Sequence, residues 1–270
     1  MRLYFRFATL AILALPLLAA ASDPLADGYQ EMYNLRFEAA HKTFQSYEQT
    51  NPADPMGPVS DAAAYLFFEF EQLKVLRSEF FADNSNFQVR KRLQADPAVK
   101  QSFEAALARS KTLSDAMLQK QPDARAALLA NVVRIALHAD FLALIERDNW
   151  QALTEIKQAR GDADALIRKY PDCYDAYLAM GVENYLLSQK MAPVRMFLRL
   201  TGAQTDKQQG IQNLRIVADK GHYLRAYAKI LLAIAALRDD RKVEALGLLK
   251  ELAVQFPENG LFQEELKKLS

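Results

Sequence analysis

The chain has one cysteine and three histidines in 270 residues. Cys173 permits no internal disulfide, so stability must come from an apolar core. It follows Pro171 and Asp172 at an expected helix start with no histidine near it in sequence, and is read as a structural thiol. His41, His138 and His222 stand far apart, and none has a second histidine or a cysteine at ligand spacing. No metal or cofactor is expected. Glycine-rich phosphate loops are missing, and no pair of acids has a spacing that marks general acid–base work. The expectation is therefore a non-catalytic protein. Basic excess is missing too: 34 Lys and Arg face 33 Asp and Glu. Such a balance gives no general pull toward nucleic acid, and no nucleic-acid partner is expected. Glycine (9) and proline (10) fall below the usual share of about 7% and 5%. No stretch alternates over strand length, so no sheet is expected.

What is present begins with a leader. Arg2 and Arg6 form a basic front, Phe7 to Leu18 is a mostly apolar run, and Ala19-Ala20-Ala21 is a small-residue exit. That layout reads as a secretory signal peptide over residues 1–21, cleaved near Ala21. The run is too short to span a bilayer, which needs about 20 apolar residues. Cleavage would remove two of the 34 bases and no acid, leaving 32 against 33. A periplasmic or secreted bacterial location is expected. No second long apolar run stands out, and residues 22–270 are read as one soluble body.

That body has helical periodicity. In 98–120, Val99, Phe103, Ala106, Leu107, Leu113, Ala116 and Met117 share one face. Asp23-Pro24 and Asp96-Pro97 each offer a capping acid before a proline in the first turn. Asp206 with Gln209 predicts another helix start. Eleven or twelve helices are expected. The aromatic run 64–81 puts Tyr65, Phe67, Phe68 and Phe70 on nearly every side of one helix, the pattern of a helix buried all round.

Two frames repeat. Gly28, Ala40, Phe44 and Pro52 are spaced 12, 4 and 8 apart, as are Ala233, Ala245, Leu249 and Pro257. Two small residues let paired helices approach, a large residue fills the gap one turn on, and the proline prevents continuation. Pro122 and Pro171 close longer units, and Tyr177, Met180 and Gly181 read as another first helix. The frame resembles the tetratricopeptide repeat, a helix–turn–helix unit of 34 residues. The separations between the closing prolines, 70, 49 and 86, depart from a regular period. The resemblance implies an all-α, right-handed α-solenoid of degenerate tetratricopeptide-like repeats. A second resemblance lies in Gly181, Leu187, Ser188, Pro193, Leu200, Gly202, Asp206, Gly210 and Leu214, whose order is similar to the eukaryotic inclusion-body-clearance family of tetratricopeptide-like proteins. It implies that 190–205 is an insertion between the two helices of one repeat.

Carried over residue by residue, the repeat's concave groove falls on Tyr29, Met32 and Tyr33, on Val182 and Tyr185, and on Tyr227 and Ile234. The expected function is an exported protein–protein interaction scaffold holding a protein or peptide in that groove. The alternative is a helical carrier for an apolar ligand or lipid surface, which a closed apolar cavity around Phe67 and Phe70 would favour. Within 190–202, Arg195 and Arg199 share one helical face and Phe197 another, a pattern that fits contact with an anionic membrane surface. Reversing the basic front, Arg2→Glu with Arg6→Glu, should block loss of the leader. The mature N-terminus by mass spectrometry checks this, and a wild type that retains Met1 contradicts the signal reading.

Overall fold

The computed structural model describes residues 23–77, 93–189, 196 and 205–269. The expected leader and Arg195, Phe197 and Arg199 lie outside these residues. The described residues are all-α, with eleven α-helices and no strand. They are α1 (Pro24–Tyr33), α2 (Phe37–Thr50), α3 (Met56–Gln72), α4 (Pro97–Lys120), α5 (Arg125–Phe141), α6 (Asn149–Lys169), α7 (Tyr177–Ser188), α8 (Lys207–Lys220), α9 (Arg225–Arg238), α10 (Lys242–Gln255) and α11 (Gly260–Leu269). A π-helical turn, Leu142–Glu146, extends α5, and a 3-10 turn, Tyr174–Ala176, precedes α7.

The helix starts follow the capping acids. One oxygen of Asp23 accepts from the amides of Leu25 and Ala26, and Asp96 does the same for Ala98 and Val99. Asp206 accepts from Gln209 N at 3.1 Å, but the reciprocal half of a capping box is absent: Gln209 donates to Asn213, and Asn184 Oδ1 takes the Asp206 amide. The closing prolines act alike. Asn51, Gln121, Tyr170 and Phe256, just ahead of them, have all left the helical region, with φ of −129°, −139°, −129° and −126° and ψ between 60° and 90°. The proline ring forces that departure on the preceding residue. Each then opens the same turn: its carbonyl accepts from Asp54, Ala124, Cys173 and Asn259 at 2.9 to 3.1 Å.

The first and last frames also share their internal turn. Leu35 and Asp240 each lie seven residues after the frame's first small residue, and each has positive φ, 62° and 54°. Arg36 N donates to Glu31 O, and Arg241 N to Ala236 O, the six-to-one bond of a Schellman turn. Asp54 Oδ1 then accepts from Met56 N, and Asn259 Oδ1 from Leu261 N. The small frame residues sit at helix contacts as expected. A Cβ on Gly28 would lie 2.3 Å from the Phe44 ring, and one on Gly181 2.9 Å from Leu214. Ala40, Phe44 and Ala245 are fully buried.

Consecutive helices pack on one another along the chain, with α3 touching α1, α2, α4 and α5. That accounts for the burial of Leu66, Phe67 and Phe70, while Tyr65 and Phe68 are half-buried. Two expectations need correction. Arg125–Glu146 is long and apolar enough to cross a membrane, so a second such run exists. Its composition has a local cause, since α5 packs against α3, α4, α6 and α7. Of the face expected in 98–120, Phe103 and Leu107 are buried, and Val99, Ala106, Leu113 and Met117 are half-buried. Further on, the buried positions are Ser110 and Ser114, while Ala116 is exposed. The short Ser110 hydroxyl reaches the Pro55 carbonyl at 3.0 Å, a contact that an apolar side chain could not make.

The last helices return to the first. Asn259 Nδ2 donates to Tyr33 O at 2.7 Å, Glu258 N to Asn34 Oδ1, and Gln30 Nε2 to Gln255 O. Arg36 pairs with Glu258 and Arg77 with Glu264. On the other side, His222 Nε2 meets Asp23 Oδ2 at 2.5 Å, and Tyr223 stacks on Tyr29 with centroids 5.3 Å apart. The body closes on itself.

Helix packing makes a checkable contrast between two glycines. A Cβ on Gly210 would sit 2.7 Å from the Tyr185 backbone nitrogen, whereas Gly247 faces open space. Gly210→Ala should cost about 1–3 kcal/mol by overpacking. Gly247→Ala, on an exposed helix face, should add about 0.4–1 kcal/mol. Urea unfolding of the two variants checks both signs.

Candidate functional site: a closed central cavity

Closure brings one face of α1, α3, α5, α7 and α9 to a common centre, with part of α6 beside them. Helical spacing sets what each contributes: Tyr29 and Tyr33 from α1, Ala63 and Phe67 from α3, Val133, Ala136, Leu137 and Asp140 from α5, and Val182 from α7. Tyr227, in the first turn of α9, completes the wall. The rings interlock edge to face. Phe67 meets Tyr33 at 5.6 Å and Tyr227 at 5.2 Å, with interplanar angles of 89° and 78°. Together they line a cavity of about 40 Å³. That is room for a few water-sized groups. A second cavity, also about 40 Å³, lies on the other side of Met32, Tyr33 and Phe67 and reaches Ile234, Leu249 and Phe262. The three side chains form a plug between two chambers.

The wall carries two carboxylates, and one is Asp140, which is half-buried and lies beside Tyr227 of α9. Tyr227 OH donates to its Oδ2 at 2.9 Å. Burial raises the carboxyl from 3.8 to about 7, and the Tyr227 hydrogen bond offsets only part of that rise. A second carboxylate, Asp175, is spent on structure. Its Oδ1 accepts from the amides of His222 and Leu224, and its Oδ2 from that of Tyr223, so it holds the turn that leads into α9. Gly221 leaves space for this: a Cβ there would come within 2.9 Å of Asp175 Oδ1. Burial raises the Asp175 carboxyl as well, against those three hydrogen bonds.

The residues expected to line an open groove are found here instead. Tyr29, Met32, Tyr33, Tyr185 and Tyr227 are all buried. Four of them wall the central cavity, Tyr185 packs beside Gly210, and Ile234 lines the second chamber. In the closed body the rings of Tyr29, Tyr33 and Tyr227 contact other aromatic rings. The sequence reading missed Asp140. Its signal was available: an acid inside the apolar stretch 126–146, one turn beyond Ala136 and Leu137.

The remaining titratable groups serve helix contacts. His41 meets Asp61 at 2.5 Å and lies on the Tyr65 ring at 4.0 Å, and His138 pairs with Glu155 at 2.7 Å. Cys173 is buried, and burial pushes its thiol up, away from the thiolate that a nucleophile needs.

The folded form holds a proton on Asp140 that the unfolded chain releases near pH 4. This group's contribution therefore favours folding at low pH and is lost as pH rises toward and through 7. By pH 8 the ionised carboxylate costs up to about 4 kcal/mol. Asp140→Asn should flatten the fall in melting temperature between pH 5 and 8. A fall equal to that of wild type would contradict the buried, cavity-facing placement.

No protein-family model matches the chain, and no curated protein matches it, so the functional reading starts from this cavity.

Proposed function

We propose that the chain is a non-catalytic binding protein, an α-solenoid of tetratricopeptide-like pairs bent until its ends meet, that encloses a small, mostly apolar ligand. The single observation that carries this reading is Asp140 and Tyr227 facing a mostly apolar cavity inside the closed body. Ligand sites are concave, largely apolar and oriented by a few convergent polar groups. The four proline turns and the chain-order packing support the solenoid. The closing contacts favour an enclosed ligand over a peptide, because the inner aromatic faces are spent on each other. Export belongs to the same proposal: α1 begins at Pro24 under its Asp23 cap, so a cut near Ala21 falls ahead of the first helix.

Filling the cavity tests the reading. Ala136 faces it, whereas Ala235 is fully buried against neighbours. Ala136→Leu should melt within about 1 kcal/mol of wild type, and Ala235→Leu should lose about 1–3 kcal/mol. In a thermal-shift screen of small apolar and amphipathic molecules, wild type should gain stability with a subset of them, and Ala136→Leu should gain none. A wild type that no molecule stabilises, together with equal losses for the two leucine variants, would refute an enclosed site.

A further inference from the structure

The cavity is lined by aromatic rings, and one of its two carboxylates is only half used. Tyr227 occupies Oδ2 of Asp140, and no hydrogen bond reaches Oδ1 from the described residues. The charges around it are one-sided. The 3-10 turn before α7 brings Asp175, α1 brings the phenols Tyr29 and Tyr33, and α9 brings Tyr227. The walls from α3, α6 and α7 are apolar at Phe67, Ile156 and Val182. Among the described residues no cation lines the cavity. His138, two residues before Asp140 on α5, is paired with Glu155 on α6. An anion entering this space would meet two carboxylates and no positive partner. A neutral alcohol could donate a hydrogen bond to Oδ1, but it would leave the ionised carboxylate without a countercharge.

We infer that the central cavity takes a small organic ammonium ion, with its nitrogen on Asp140 Oδ1 and its carbon body among the rings of Tyr33, Phe67 and Tyr227. The inference rests on the enclosed-ligand reading and names the ligand's chemistry. Aromatic rings attract a cation through their quadrupoles, and the attraction grows where water is excluded. A carboxylate beside them supplies the charge-assisted hydrogen bond. The donor set does not suit a bare metal ion: calcium takes six to eight oxygens, and this wall offers a carboxylate and phenols. The small volume restricts the body to a short alkyl chain.

Three probes of one shape separate the possibilities: n-propylammonium, n-propanol and propionate, each titrated calorimetrically into the full chain. The ammonium should bind at least tenfold more tightly than the alcohol, and propionate should not bind. Asp140→Asn should weaken ammonium binding at least tenfold and leave the alcohol unchanged. Binding needs ionised Asp140, so affinity should rise about tenfold per pH unit below 7 and level off above it. Tyr227→Phe removes the hydrogen bond that favours the carboxylate, and should move that break to higher pH. This arm does not depend on the stability of the Asp140 variant. Equal binding of ammonium and alcohol, with no effect of Asp140→Asn, refutes the ammonium assignment and leaves the enclosed-ligand reading standing. A preference for propionate overturns the assignment as well. If none of the three probes binds and none raises the melting temperature, both fall together.

Discussion

The junction of Tyr33, Phe67 and Tyr227 holds the described body in its closed form. These rings come from α1, α3 and α9, so the contact joins the first quarter of the chain to its last quarter. Phe256 extends it from the end of α10, with its ring 5.4 Å from that of Tyr33. Edge-to-face pairs add about 0.5–1.5 kcal/mol each beyond the area they bury. Without this junction the inner faces of α1, α3 and α9 would present aromatic surface to water. With it, the same surface becomes the wall of two small chambers.

Around this apolar centre the seam is polar and specific. Asn34 and Asn259 are buried, and each satisfies a backbone group on the opposite side. Asn259 does two tasks at once, since Nδ2 donates across the seam while Oδ1 caps the start of α11. Unpaired backbone groups at helix ends are costly to bury, so these side chains set which ends can meet. The charged pairs Arg36–Glu258 and Arg77–Glu264 lie at the exposed rim and contribute little energy by comparison. Asp23 links the local and the long-range levels. One oxygen caps α1 while the other reaches His222, and that contact holds its carboxyl down against the opposing effect of burial.

Local features were legible in the sequence, and non-local ones were not. Asp23, Asp96 and Asp206 cap the helices expected of them, because a cap involves only the next three residues. The four closing prolines and the frames around Gly28 and Ala245 were also readable, since backbone sterics and small-residue spacing act within one hairpin. The aromatic character of α3 announced burial, though not its partners. Tyr29, Tyr33 and Tyr227 were assigned to the correct helix faces but to an open groove. What covers them is some 190 residues away in the chain, and helical periodicity carries no information about contacts at that separation. Ser110 broke the expected apolar face because burial beside the Pro55 carbonyl favours a short donor there. Asp140 was passed over for a related reason: its consequence depends on a cavity that exists only after closure.

The meeting of first and last helices bears on how this architecture can change over time. In an open array each helix pair touches only its neighbours, so a pair can be duplicated or deleted and the rest still stacks. Here α1 and α2 must meet α9, α10 and α11 in one register, through Tyr33, Asn34 and Asn259. Adding or removing one pair would carry the last helices past the first and expose aromatic faces at both ends. The number of helix pairs is thus a fixed property of this body, and variation is confined to the lengths of the connections between them.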